Sequence, residues 1–252
     1  LAILALLPLC VFAQTSKASR ALFDKKTIGE IRLTLPAKNW VDALDSMRIY
    51  GMGMMKASVT VDGSPYEGVG VRFRGDKSYQ LGLKRNPFSI RLNYSDPEQN
   101  HQSCTSIKLS SALRDPSMVR EVLFYEIAGK YMPASQASYT KLYVNEEYVG
   151  IYVNVESIDK QFLETNYGSS KNALFKAGVD YKPETPNDCK QNIYGSLEYE
   201  DNLDCFKGNF EMLSNSGWNE LQELTKVLST EPGSIHRVLD VDRTLWMLAL
   251  NN

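Results

Sequence analysis

The stretch Tyr139–Phe162, YTKLYVNEEYVGIYVNVESIDKQF, decides the fold. Two alternating runs, Lys141–Val144 and Val149–Val155, flank a polar break at Asn145-Glu146-Glu147. Aromatic and β-branched residues on both sides of so short a break predict a β-hairpin. The chain then passes Glu156-Ser157-Ile158-Asp159 and enters a helical pattern over Lys160–Tyr167, which Asp159 is placed to cap. Upstream the pattern is rich in strands around one helix; downstream it is helical or irregular. The reading is a mixed α+β chain: an amino-terminal lobe of mainly antiparallel strands over residues 21–158, then the beginning of a helical lobe over 159–252.

Leu1–Phe12 is an almost unbroken apolar run that closes at Ala13. It reads as the apolar region of a secretory signal, since about 12 residues are too few for a bilayer, which needs ~20. Residues 1–13 are therefore expected to be a partial signal peptide, cut near Gln14. Large Pro8-Leu9 before Cys10 argue against a lipid-anchored amino terminus. The sequence opens without methionine and stops at Asn251-Asn252 without a helix-ending signal, so a fragment of a longer chain is expected. The mature protein is predicted to be secreted or held at the cell surface, with no transmembrane segment.

Lys and Arg number 28 against 30 Asp and Glu, so no basic field advertises nucleic acid. Beyond the leader, cysteine occurs as Cys104, Cys189 and Cys205. Cys189 and Cys205 bracket a polar, turn-rich segment; in an oxidising compartment they either pair or remain free buried thiols. His101 and His236 stand far apart, and no zinc spacing is present.

Before the central hairpin, strands are predicted over Ile28–Leu35, Ala57–Val61, Gly68–Phe73, Pro87–Leu92 and Ser106–Leu109. Asp62-Gly63 is a strong hairpin turn. Asn39–Met47 reads as a short amphipathic helix. A longer helix is expected to begin at Asp115-Pro116, its apolar stripe being Val119, Val122, Leu123 and Ile127. After the hairpin, Ala173–Lys176 reads as a short strand, Val179–Asn209 as a surface excursion, and Trp218–Leu228 and Asp242–Leu250 as helices. Asp240-Val241-Asp242 reads as a cap of the last helix.

Arg72 and Arg74 share a strand face because the side-chain period is two. With Gly75-Asp76-Lys77-Ser78 and the following Lys84, Arg85 and Arg91 they make a cationic region. Gly75 permits close backbone approach to an anion. The same residues also suit a solvated strand edge that discourages aggregation. On the helix expected at Asp115, Glu126 lies within the apolar stripe, where a carboxylate calls for a partner, and Glu121 faces away from that stripe; both stay open. No Gly-x-Gly-x-x-Gly, P-loop, His-Arg-Asp or Gly-x-Ser-x-Gly motif occurs.

Three ordered blocks carry a resemblance: Val71-Arg72-Phe73-Arg74-Gly75-Asp76-Lys77-Ser78, Asp115-Pro116-Ser117-Met118-Val119-Arg120-Glu121, and the run from Leu142 through Glu156-Ser157-Ile158-Asp159 to Leu163. Over roughly Ile31 to Lys176, and more weakly over the helical tail, the chain resembles the spore-coat protein CotH family, whose members look like atypical, secreted or surface-exposed protein kinases. The resemblance implies a protein-kinase-like fold, ATP and Mg2+ as cofactors, and a secreted or surface protein as substrate. It favours the phosphate reading, with Arg72, Arg74, Gly75, Ser78, Lys84 and Arg91 on the nucleotide side. Glu121 or Glu126 would be the helix partner, and Glu156 would stand at the hinge. The catalytic and metal-binding acids are expected beyond Asn252, so weak nucleotide binding and no turnover are expected of this stretch alone. The rival reading is a non-catalytic adhesin or coat-assembly module. One departure is Glu146, where the family has Gly; a left-handed non-Gly residue costs ~1–2 kcal/mol, so a longer turn is expected.

Overall fold

A computed structural model of the chain describes residues 20–75, 77–178, 185–190 and 194–251. The expected leader, residues 1–13, and Asp76 lie outside the described residues. The molecule is mixed α+β, built on a large, mostly antiparallel sheet with several helices.

Seven strands close into a barrel: β1 (Gly29–Thr34), β2 (Met55–Val61), β3 (Ser64–Phe73), β4 (Phe88–Arg91), β5 (Ser106–Ser110), β6 (Ala137–Val144) and β7 (Glu147–Val155). Their order is β1-β2-β3-β4-β5-β7-β6. Alternation predicts the antiparallel pairs but not the seam, a parallel pairing of Gly29–Leu33 with Thr140–Val144. That pairing joins segments about a hundred residues apart and leaves the sheet without an edge.

The strands turn most of their apolar residues inward. Val71 and Phe73, Phe88 and Ile90, Ile107 and Leu109, and Leu142 and Val144 are all at most 1% exposed. Polar partners in the alternation, Arg72, Ser89, Arg91 and Lys108, therefore project from the outer face. Helix α1 (Trp40–Ile49) closes one part of the barrel with Trp40, whose ring lies 6.2 Å from Phe73 and 6.1 Å from Phe88.

Both hairpins use left-handed turn residues. Asp62 and Gly63 take φ of +47° and +88° between β2 and β3. The turn between β6 and β7 is not lengthened, contrary to expectation: Asn145 and Glu146 take φ of +48° and +66° and join the strands directly. Tertiary contacts offset the strain. The Asn145 side chain accepts the Leu35 N–H at 2.8 Å, and Glu146 meets Arg32 at 2.8 Å.

The expected helix at Asp115 starts later. Met118 takes φ of +58°, and α2 runs Arg120–Ala128. Asp115 still serves the helix, accepting the Arg120 N–H at 2.9 Å from five residues upstream. The buried face also differs from the expected stripe: Val122 packs with Ala137, Val153 and Val155, with Tyr125 against them, while Val119, Leu123 and Ile127 are exposed. The helix thus lies rotated from the stripe, with Glu121 and Tyr125 toward the barrel and Glu126 outward.

Helix α3 (Lys160–Tyr167) begins on the Asp159 carboxylate, which accepts the Gln161 and Phe162 N–H groups at 3.0 and 3.2 Å. Beyond it, β8 (Phe175–Ala177) pairs with β9 (Phe210–Met212). The excursion expected over Val179–Asn209 contains α4 (Leu203–Lys207) and a disulfide between Cys189 and Cys205. Phe206, Phe210 and Leu221 form a separate small core there, and α5 (Trp218–Thr230) and α6 (Val241–Asn251) follow. Asp240 accepts the Arg243 N–H at 3.1 Å, as a cap does. Cys104 is a free, half-buried thiol, and burial pushes its pKa up to about 11. No helix among the described residues is long and apolar enough to cross a membrane.

Candidate functional site

The outer face of β3, β4 and β5 carries the basic side chains in two lateral rows. Arg72 registers with Ser89, and Ser89 with Lys108; one step along, Gly70 registers with Arg91, and Arg91 with Ser106. With strands ~4.8 Å apart, Arg72 and Lys108 are ~10 Å from each other across this face. Arg74 follows the end of β3 and keeps its pairing, its N–H donating to the Pro87 carbonyl at 2.9 Å.

Two of these cations are uncomfortable as they stand. Burial holds the Arg74 guanidinium below the usual arginine range; the Glu121 carboxylate and Tyr125 favour its charge, and Arg72 opposes it. Burial also lowers the Lys108 ammonium; Arg74 pushes it the same way, Asp159 favours its charge, and Lys176 opposes it. Among the described residues neither Arg74 nor Lys108 makes an ion pair. Partly buried positive charges facing one another favour an anion between them, because its charge offsets both the lost hydration and the mutual repulsion.

The surroundings shape the face. Glu121 stands at its edge on the first turn of α2, and Asp159 stands at the connector into α3. Gly75 takes φ of +82° and its carbonyl accepts a hydrogen bond from Arg48 at 2.7 Å. A Cβ at Gly75 would meet the Ser78 hydroxyl, and the positive φ there favours glycine. A hollow of about 450 Å³ opens on the same face, lined by Arg91, Asn93, Tyr94, Thr105, Ser106 and Asp159.

Several candidates fall elsewhere. Lys84 is bound to both Glu147 carboxylate oxygens, at 2.7 and 2.8 Å. Glu126 is exposed and faces Lys25 at 3.8 Å, so of the two helix acids only Glu121 acts on the basic face. Glu156 borders a different hollow, where its carboxylate accepts the Gln136 N–H at 2.9 Å. Lys108 was not among the residues expected from sequence. It sits alone in Ser106-Ile107-Lys108-Leu109, where alternation marks it only as outward; the signal that finds it is its register with the basic strands beside it.

The donor set fits a phosphate group. Among the described residues no group of three or more His, Cys, Asp or Glu is placed to hold a metal ion. The fold and this face define a mixed α+β protein with a helix-flanked, cationic barrel surface suited to a phosphate-bearing ligand. The family described as CotH kinase protein matches residues 71–252, well over half of the chain, and the chain belongs to that family. Membership supports a kinase-like function. A comparison with curated proteins found no match.

Proposed function

We propose that this chain carries the nucleotide-binding face of a CotH-type atypical kinase, which transfers phosphate from ATP to secreted or surface proteins. The observation that carries the reading is the pair of half-buried, unpaired cations, Arg74 and Lys108, on one outer barrel face. The order of elements supports a kinase-like fold. A strand bearing an outward lysine (β5) leads to a helix bearing an acid (α2), then a hairpin (β6–β7), a short connector and a further helix. The parallel has a difference: Glu121 acts on Arg74, and the acid acting on Lys108 is Asp159.

ATP, when bound, supplies the phosphoryl group. Lys108 and Arg74 hold its phosphates, the arginine through paired N–H donors. The hollow beside Arg91 takes the nucleoside half, with Asp159 as acceptor and the Tyr94 ring as a wall. Placing two cations against the phosphates stabilises charge without any rearrangement of the sheet. Mg2+, when bound with ATP, would neutralise charge on the phosphates beside these two cations. Export of the protein rests on the apolar leader and agrees with the Cys189–Cys205 disulfide.

Titration calorimetry with Mg-ATP tests the reading. The protein should bind, and Arg74→Ala should weaken binding by about 1.5–3 kcal/mol, the scale of a hydrogen bond to a charged group. Unliganded melts of the two should agree closely. No binding by the wild-type protein would favour the non-catalytic surface or coat-assembly module.

A further inference from the structure

The connector Glu156–Asp159 borders two hollows that share no lining residue. Asp159 belongs to the basic face; Glu156 belongs to a hollow of about 440 Å³ walled by Leu22, Phe23, Cys104, Gln136 and Thr165. Ser157, between them, is buried and shares a 2.7 Å hydrogen bond with Ser106, which pins the connector to β5.

Glu156 is half-buried there, and among the described residues no lysine, arginine or histidine pairs with it. The charged neighbour acting on it is another carboxylate, Asp159. Several other polar groups of the hollow are engaged. Asp24 accepts from Thr27 and from the Lys26 N–H, Gln102 holds the Leu22 N–H and the Arg20 carbonyl, and Gln161 donates to Thr165. Glu156 accepts hydrogen bonds from Gln136 but is the acid of this hollow without a cationic partner among the described residues, and an apolar wall of Leu22, Phe23 and Cys104 leads toward it.

We propose that this hollow binds the primary ammonium of a polypeptide lysine, with the charge on Glu156 and the aliphatic stem along the apolar wall. The carboxylate already accepts from the Gln136 backbone N–H and from the Gln136 side chain, which leaves no pair of free parallel acceptors. A compact ammonium suits one acceptor; a guanidinium fork requires two parallel ones. The stem adds burial at roughly 0.8 kcal/mol per CH₂ in general, which favours an alkylammonium over a bare ammonium ion. This site does not depend on the nucleotide reading.

The test follows the Gln136 and Gln161 amide resonances during titration with Nα-acetyl-lysine methylamide, its norleucine counterpart and n-butylamine. The lysine derivative should give saturable shifts and the uncharged norleucine derivative none. Glu156→Gln keeps an acceptor for the Gln136 N–H and should weaken lysine binding about tenfold or more. Thr165→Trp, at an exposed position, should block the hollow without touching the core and gives the answer should Glu156→Gln fold poorly. Arg74→Ala should bind the lysine derivative as wild type does, so failure here is separable from failure at the basic face. No saturable shift, an equal response to the norleucine derivative, binding of butylamine alone, or indifference to both substitutions would overturn the proposal.

Discussion

Arg72 and Lys108 stand in one lateral row on the outside of the barrel, each in register with Ser89 between them. They are separated by thirty-odd residues containing the whole of β4, so their proximity is a property of the sheet and not of the local sequence. The row places a lysine from an otherwise unremarkable strand beside the arginines that end β3.

Glu146 tests the price of the central turn. Its φ of +66° is one that glycine adopts freely, and Asn-Gly is the favoured pair for such a turn. The strain costs ~1–2 kcal/mol, whereas its ion pair with Arg32 is exposed and contributes ~0–1 kcal/mol. Glu146→Gly should therefore raise stability by about 0.5–1 kcal/mol in urea unfolding, with β6 and β7 in unchanged register.

The Cys189–Cys205 bridge spans 16 residues and ties a polar loop to buried Cys205 on α4. Closing a loop of that size contributes ~2–4 kcal/mol through the unfolded chain. A Cys189→Ser, Cys205→Ser double variant should lose about that much stability in denaturant, and reductant should bring the wild type to the same level. Non-reducing peptide mapping of the wild type should recover the linked pair.

Much of this arrangement is legible in the sequence and some is not, for identifiable reasons. The hairpins follow from alternation and turn residues, and the Asp159 cap from its place before Lys160. The α2 start is displaced because Met118 adopts a left-handed conformation, which propensity does not anticipate. The stripe Val119, Leu123 and Ile127 points outward because packing on Val153 and Val155 rotates the helix. That rotation makes Glu121, not Glu126, the acid of the basic face. Lys84 reads like its basic neighbours in sequence, and only the fold reveals Glu147 beside it. Lys108 is invisible for the complementary reason: its partners lie on other strands.

Proton uptake should accompany nucleotide binding at alkaline pH. Burial and Arg74 lower the folded-state pKa of Lys108 below its usual 10.5. Between the lowered value and 10.5 the unfolded state therefore binds more protons, so this lysine contributes stability that rises with pH in that window. A bound phosphate reverses the shift by favouring the ammonium, and a proton is taken up. Calorimetry near pH 9 to 10 in buffers of differing ionisation enthalpy should show this uptake in wild type and lose it in Lys108→Met.

Two lysines of this chain make the sharpest comparison. Lys108 is half-buried on the basic face without an ion pair, whereas Lys84 is held by Glu147. Titration of Lys108→Met and Lys84→Met with Mg-ATP, with unliganded melts alongside, separates their roles. The account predicts that Lys108→Met weakens binding by about 1.5–3 kcal/mol, the scale of a charged hydrogen bond, with a Tm at or above that of wild type. Lys84→Met should bind as wild type does. Undiminished affinity in Lys108→Met, or an equal loss in Lys84→Met, would contradict the assignment of the basic face to phosphate.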